Sequence, residues 1–214
     1  MSKCLICNSE TSFLTDPQIK ATYAVCESCG FIYKKKEHHV TLEAEKAKYD
    51  LHHNSFESEG YVNIFKALIN DYIKPLKITK KVLEYGSGPG PVLKELLLRE
   101  NYQVTDYDPF FNNNLDYLNS QYQLITSTEV VEHFKNPMQE FTKLANLLIP
   151  GGYLVIMTNL RTMALPEFLT WWYKRDITHI SFYTLESLAI IAKKNNLKII
   201  ETNNKKIIVF QKNN

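Results

Sequence analysis

The 214-residue chain has no apolar run long enough to cross a bilayer, which argues against a membrane-spanning protein. Its first residues lack the apolar core of a secretory signal, so we expect a cytoplasmic location and no membrane partner. Neither sign of charge dominates, because 25 Lys and Arg against 23 Asp and Glu leave a net charge of +2. Such a balance does not indicate a nucleic-acid or membrane surface. The sequence also shows no internal repeat.

Cysteine is scarce, and all four cysteines lie in two C-x-x-C pairs near the N-terminus: Cys4, Cys7, Cys26 and Cys29. Two tight turns that each carry two thiolates match the ligand spacing of a tetrahedral zinc site. A thioredoxin-like redox pair would not be expected twice. Four thiolates leave the metal no open position, so the predicted zinc is structural and residues 1–36 form a small zinc-ribbon-like knuckle.

Residues 37–60 are polar and contain two histidine pairs, His38-His39 and His52-His53. This segment is either a linker with exposed imidazoles or a flap over an active site. Exposed imidazoles are the preferred interpretation for the first pair, whereas both interpretations stay open for the second. Residues 61–214 form the third predicted unit.

Apolar periodicity in this third unit alternates between helix and strand. Helices are predicted to run from 61 to about 75, to begin near 91 and 137, and to cover 185–194. Strands are predicted at 82–85, 102–106, 123–126, 153–157, 197–200 and 206–210. Alternating strands and helices indicate a doubly wound α/β fold, with a mostly parallel sheet and a C-terminal antiparallel hairpin.

Glycine is also scarce, yet three of the seven glycines, Gly86, Gly88 and Gly90, directly follow the first strand of this unit. Bare backbone before a helix favours close approach of a ligand at the carboxyl end of a parallel sheet. Asp108 follows Gly88 by about the twenty residues expected of an acid that binds a ribose hydroxyl. The predicted ligand therefore carries a nucleoside. Pro91 departs from the dinucleotide fingerprint, and an acid at Glu84 suits a positively charged ligand.

With these residues the chain resembles the class I methyltransferases that use S-adenosylmethionine (SAM), a broad group that includes ubiquinone-pathway O-methyltransferases. Further motifs that carry the resemblance are TDYDP at 105–109, ITSTEVVEH at 125–133 and LIPGGYL at 148–154. The resemblance implies a Rossmann-like sheet of the seven-stranded type. It places Gly86, Ser87, Gly88 and Gly90 under the amino-acid end of SAM, Glu84 near its amino group and Asp108 at its ribose.

One departure from this group concerns the segment before residue 123. The chain after Asp108 is too short there for the usual helix plus third strand, which leaves Phe110 and Phe111 as candidates for the adenine contact. The region around 176–184, after the strand at 153–157, is expected to border the acceptor pocket. Its aromatic residues are typical of a core or a lid.

A second group of candidate residues is Glu129, Glu132 and His133. If they begin a helix, all three side chains lie on one side and could bind a divalent cation such as Mg²⁺. This E-x-x-E-H pattern resembles the metal-binding segment of ubiquinone-pathway and small-RNA 2′-O-methyltransferases. Relatives without a metal use the same residues to cap and pack a helix, so both interpretations stay open. His179 is the counterpart of a later histidine and is predicted to be an active-site residue rather than a ligand.

The predicted reaction is methyl transfer from SAM, with a hydroxyl of a small molecule as the acceptor and His133 or His179 as the general base. Sugar, RNA and protein acceptors stay open. A nicotinamide-dependent oxidoreductase is disfavoured by Pro91. A non-catalytic module, whose knuckle binds RNA or protein beside a vestigial SAM fold, is the alternative of a different class.

Overall fold

The computed structural model describes residues 2–51 and 55–214, so His52 and His53 lie outside the described residues. The strands are β1 Ser2–Lys3, β2 Glu10–Asp16, β3 Ala21–Val25, β4 Ile32–Lys34, β5 Val82–Tyr85, β6 Val104–Tyr107, β7 Tyr122–Thr128, β8 Leu148–Met157, β9 Ser181–Phe182, β10 Leu197–Thr202 and β11 Ile207–Lys212. The α-helices are α1 Leu42–Tyr49, α2 Glu59–Leu68, α3 Val92–Arg99, α4 Pro137–Leu147, α5 Leu165–Phe168 and α6 Leu185–Lys194. None of the helices in these ranges has the length and apolar character needed to span a membrane.

The larger sheet has the order β10-β11-β8-β7-β5-β6. Strands β6, β5, β7 and β8 are parallel, whereas β11 and β10 are antiparallel to their neighbours. Adjacent residues of β5 point to opposite faces of the sheet. Val82 packs with α2 and α3, and Leu83 packs with α4 and α6. The predicted Rossmann-like, doubly wound sheet with a C-terminal antiparallel hairpin is confirmed.

The described part of this sheet has six strands rather than the seven of the group resembled. Residues 108–121 form a short 3₁₀ turn, Leu115–Asn119, in place of a helix and a strand. A helix and a strand of average size need about 17 residues, more than this segment offers. As a result, β6 is the edge strand on this side of the sheet.

The helix predicted from residue 61 to about 75 is shorter than expected. α2 ends at Leu68, and a π-helical turn and a 3₁₀ turn, Ile69–Ile73 and Lys74–Leu76, continue the chain. Pro75 explains the change, because proline has no N–H to donate and its ring clashes with the carbonyl one turn earlier.

The N-terminal cysteine module, defined as residues 2–36, is an antiparallel sheet with two turns of the same design. In the first turn Asn8 N donates to Cys4 O over 3.1 Å, and in the second Gly30 N donates to Cys26 O over 2.8 Å. Asn8 and Gly30 both have a left-handed backbone, with φ of 67° and 72°. Asn and Gly tolerate that conformation best, so each C-x-x-C pair can close on itself.

The cysteine module is continuous with the rest of the protein. Its sheet has the order β1-β2-β3-β4-β9, and β9 comes from the C-terminal half of the chain. Phe31 packs on Tyr183 with ring centroids 5.2 Å apart, and Tyr23 lies 5.2 Å from Phe168. The predicted boundaries at residues 36 and 60 stay predictions, but the units share buried side chains.

Candidate active site

One cavity of about 560 Å³ opens at the carboxyl ends of β5, β6 and β7. Parallel strands place their carboxyl ends at one edge, which is where α/β sheets bind ligands. The cavity joins the cofactor candidates to Glu129, His133 and His179, whereas the buried Glu132 is not one of its lining residues. Its lining includes Glu84, Gly86, Ser87, Gly88, Gly90, Asp108, Phe110, Phe111, Glu129, His133 and His179.

The glycine loop after β5 needs glycine for two measurable reasons. Gly86 has a φ of +87°, and a Cβ added there would lie 2.3 Å from Cγ2 of Val130. Gly88 has a φ of +66°, and its N–H donates to Oδ2 of Asp108 over 2.8 Å. The loop therefore approaches both the residue after Glu129 and the acid that follows β6, with its backbone exposed to the cavity.

Asp108 is buried, and its carboxylate is fixed by backbone donors. Its Oδ1 accepts hydrogen bonds from the N–H groups of Phe110 and Phe111 over 2.9 and 3.1 Å. Behind it, Asp106 pairs with Lys94 over 2.8 Å. These contacts hold Asp108 at the cavity wall, beside the glycine loop.

Glu84 has the chemistry expected at the cationic end of a ligand. Its side chain is buried, and its Oε2 has no hydrogen-bond partner among the described residues. Burial, and then the negative charge of Asp106, raises the pKa of Glu84 to about 8. A carboxylate left without a partner in a cavity is stabilised by a positive ligand group, so this residue fits an ammonium group such as that of SAM.

The helix expected over Glu129, Glu132 and His133 is wrong. Glu129 has a left-handed backbone with φ of +55°, and Val131–His133 forms only a 3₁₀ turn. Glu129 therefore does not share a helix face with the other two: its Oε1 lies 3.0 Å from Nζ of Lys206, and its Oε2 lies 3.3 Å from the hydroxyl of Tyr173. The donor atoms that come within 4.8 Å of one another belong to Glu132, His133 and His179.

Backbone carbonyls select the tautomer of both histidines. A carbonyl oxygen can only accept, so Nδ1 of His133 donates to Thr178 O over 3.0 Å and Nδ1 of His179 donates to Tyr173 O over 2.7 Å. In the neutral rings both Nε2 atoms then carry a lone pair. Burial lowers the pKa of both, and the neighbouring His133 contributes to lowering that of His179 to about 3.

Glu132 completes this cluster from a fully buried position. The hydroxyl of Tyr173 donates to its Oε1 over 2.5 Å, whereas its Oε2 has no hydrogen-bond partner in the described chain. Burial, followed by the charge of Glu129, raises the pKa of Glu132 well above its usual value. The sequence placed Tyr173 among core or lid aromatics, and no local signal predicts its contact with Glu132, which lies 41 residues earlier.

A family model described as a methyltransferase domain matches residues 56–202, which is more than half of the chain. The chain belongs to this methyltransferase family. No curated protein matches it.

Solved structures show that the fold of the methyltransferase is that of SAM-dependent enzymes. A 1,6-didemethyltoxoflavin-N1-methyltransferase from Burkholderia thailandensis, solved with 1,6-didemethyltoxoflavin and S-adenosylhomocysteine, has a TM-score of 0.57 and 11% identity over 96% of this chain and 100% of that one. A SAM-dependent methyltransferase from Archaeoglobus fulgidus has a TM-score of 0.53 and 17% identity over 71% and 94%. An O-methyltransferase family protein from Burkholderia thailandensis has a TM-score of 0.51 and 12% identity over 79% of this chain, which covers only 63% of that protein.

The four cysteines of the methyltransferase converge as the sequence predicted. Sulfur atoms of Cys4 and Cys29 lie 3.6 Å apart, those of Cys7 and Cys26 lie 3.3 Å apart, and all four are free thiols. Zn–S bonds of about 2.3 Å in a tetrahedron would set such distances near 3.8 Å. In the metal-free thiols, the hydrogen bond between Cys4 and Cys29 lowers the pKa of Cys4 to about 5 and raises that of Cys29. The donor set therefore fits zinc.

Helix α1 lies over the cavity of the methyltransferase, within the segment that the sequence described as a linker or a flap. The ring of Tyr49 lies 5.5 Å from that of His133 and 5.5 Å from that of Phe110. Lys48 pairs with Asp176 over 3.5 Å at the same wall. The position of α1 favours the interpretation as a flap.

Proposed function

We propose that the protein transfers the methyl group of SAM to a hydroxyl of a small-molecule acceptor. The observation that carries this proposal is the cavity that joins the glycine loop, Glu84 and Asp108 to the paired imidazoles of His133 and His179. Membership of the methyltransferase family and the fold support it. A nucleoside site and a proton acceptor are the two parts that such a reaction requires.

Each of the proposed cofactor residues would contact a different part of SAM. Gly86, Ser87, Gly88 and Gly90 would lie under its amino-acid end, Glu84 would face its ammonium group, and Asp108 would accept hydrogen bonds from the ribose hydroxyls. SAM supplies an already activated methyl group. The protein then has to align the acceptor oxygen with the methyl carbon and to exclude water, which a cavity covered by α1 would favour.

The proposed general base is Nε2 of His133 or His179. As the acceptor oxygen forms its bond to the methyl carbon, the bond from that carbon to sulfur breaks and its electron pair stays on sulfur. The imidazole takes the acceptor proton. Both rings present the required tautomer, because the carbonyls of Thr178 and Tyr173 hold the Nδ1–H and leave Nε2 free to accept. The pKa of about 3 makes His179 a weak proton acceptor in the free protein.

A divalent cation is the second role proposed for this cluster. Its ligands would be Glu132, His133 and His179 in place of the predicted Glu129, Glu132 and His133, since the donor atoms of the former three converge. Two imidazoles and one carboxylate suit a first-row transition ion better than Mg²⁺, which prefers oxygen ligands. An Nε2 that binds a cation cannot take a proton, so the two roles of one imidazole exclude each other.

The small-molecule acceptor is proposed because a net charge of +2 does not indicate a nucleic-acid-binding protein. Zinc bound by Cys4, Cys7, Cys26 and Cys29 would be structural, and reduced thiols favour a cytoplasmic location. The division into residues 1–36, 37–60 and 61–214 is part of the same proposal.

Labelled SAM offered with a panel of phenols, sugars, small amines, tRNA and protein extract tests the proposal. We expect label in a hydroxylated small molecule. His133→Ala and His179→Ala should each abolish transfer while SAM affinity, measured by calorimetry, changes little. Full transfer by either variant would remove that histidine from the mechanism, and label in RNA or protein alone would contradict the acceptor class.

A further inference from the structure

Tyr173 makes polar contacts with several residues of the candidate site, in addition to its packing contacts. Its hydroxyl donates to Glu132, and the same oxygen lies 3.3 Å from Oε2 of Glu129 and 3.2 Å from Oγ1 of Thr158. Its carbonyl accepts the Nδ1–H of His179, and the two rings are 4.2 Å apart. One residue thus orients Glu132 through its side chain and His179 through its backbone.

The next residue, Lys174, reaches in another direction, into the cysteine module. It is completely buried and pairs with Asp16, the last residue of β2, which is also completely buried. Asp16 additionally accepts the N–H of Gln18 over 2.8 Å. A charge in such a place is expensive unless its partner holds it closely, so the pair strongly restricts where the backbone of residues 173 and 174 can lie.

The same segment is fastened to the cysteine module at its other end. Strand β9 pairs with β4, with Phe182 opposite Ile32 and Ser181 opposite Tyr33. Beside this strand, the hydroxyl of Thr184 donates to Cys29 O over 2.6 Å. Residues 173–184, which include His179, are therefore held from both ends by the N-terminal module.

We propose that Tyr173 is a positioning residue for methyl transfer, and that the buried Asp16–Lys174 pair makes the cysteine module the support that holds it. This inference rests on the proposed function. Because the contacts of Tyr173 reach Glu129, Glu132 and His179, the support acts on the groups beside the acceptor. The cysteine module is then a working part of the acceptor site rather than an appended domain.

Removal of the ion pair as a unit tests the proposal. Asp16→Asn combined with Lys174→Met takes away both charges, so that no unpaired charge stays buried. The control is Lys3→Met with Glu10→Gln, which removes the exposed pair of the same module, with side chains 62% and 66% accessible. Both proteins are compared with the wild type in the holoprotein form in which they purify.

The readout is the histidine tautomer, from long-range ¹H–¹⁵N spectra in which His179→Asn identifies the signal among six histidines. In the wild type we expect the Nδ1–H tautomer at His179. In the buried-pair variant its minor Nε2–H tautomer should rise at least about fivefold, because the carbonyl of Tyr173 is no longer held in place. The exposed-pair control should match the wild type. An unchanged tautomer in a folded buried-pair variant would overturn the proposal.

Hydrogen exchange of the wild type gives a second test that does not depend on whether the variant folds. Amides of residues 173–180 should open with the same free energy as those of β2 and β3, because one buried pair joins them. If residues 173–180 open at a clearly lower denaturant concentration than the residues of β3, the proposal that the cysteine module holds this segment in place is refuted. Calorimetry with SAM on the same samples separates the two claims: a wild type that binds no SAM refutes the proposed function and leaves the histidine and exchange results valid.

Discussion

Replacement of Gly86 by alanine is the sharpest test of the glycine loop. The added Cβ would lie 2.3 Å from Cγ2 of Val130, closer than such atoms approach each other in proteins, and 3.0 Å from its Cγ1, which is a tight contact. The backbone at this position also has φ of +87°, where side chains other than hydrogen are strained.

The cost has two parts. A non-glycine residue in the left-handed region costs about 1–2 kcal/mol. Overpacking against Val130 costs about 1–3 kcal/mol. A combined loss of about 3 kcal/mol would lower Tm by roughly 6–12 °C in a chain of this size.

Thermal unfolding followed by circular dichroism and calorimetric titration with SAM are the two assays. Gly86→Ala should also bind SAM at least about tenfold more weakly, because the loop must move to accommodate the Cβ and then no longer lies where its backbone would contact the ligand. Gly60→Ala is the matched control: nothing lies within 4 Å of its added Cβ, and alanine favours the helix there. The double variant Val130→Ala/Gly86→Ala should regain the stability that overpacking costs, whereas the stability lost to backbone strain should stay lost.

A Gly86→Ala protein with the Tm and SAM affinity of the wild type would refute this reasoning. It would mean that the loop adapts without cost, so that the bare backbone is not what the ligand requires.

Three further predictions concern Glu84, the cysteines and the second cluster. Because burial raises the pKa of Glu84 to about 8, this residue should make the unliganded protein lose stability as pH rises from about 4.5 to 8; Glu84→Gln should reduce that slope in thermal melts and should also weaken SAM binding. Cys7→Ser should release zinc, measured by elemental analysis, and should lower Tm, whereas Ser9→Ala in the same turn should retain the metal. Mn²⁺ binding followed by electron paramagnetic resonance should be lost in Glu132→Gln and kept in Glu129→Gln; the reverse order would restore the ligand set predicted from sequence.

The parts of the site that the sequence predicts are those set by local backbone requirements. Gly86 and Gly88 follow a strand, and Asp108 follows the next one, so periodicity and spacing suffice to bring them together. The two C-x-x-C turns are equally local, because each closes through a hydrogen bond between residues four apart in the chain.

The parts that the sequence misses depend on contacts between distant residues. The left-handed backbone at Glu129 breaks the expected helix, and no residue type there predicts it. His179 lies beside Glu132 only because the segment after β8 folds back over the edge of the sheet. There the backbone carbonyl of Tyr173 accepts the Nδ1–H of His179. The pairing of β9 with β4 is likewise invisible to periodicity, since a two-residue strand carries no pattern.

Native mass spectrometry of the freshly purified protein, with and without added SAM, tests directly whether the protein is a SAM-binding methyltransferase. We expect a mass increase for one zinc ion and for one SAM or S-adenosylhomocysteine, and a smaller nucleoside-bound fraction in Gly86→Ala. A protein that carries zinc but binds no nucleoside even at high SAM concentration would contradict the proposed function, and would support a non-catalytic binding module instead.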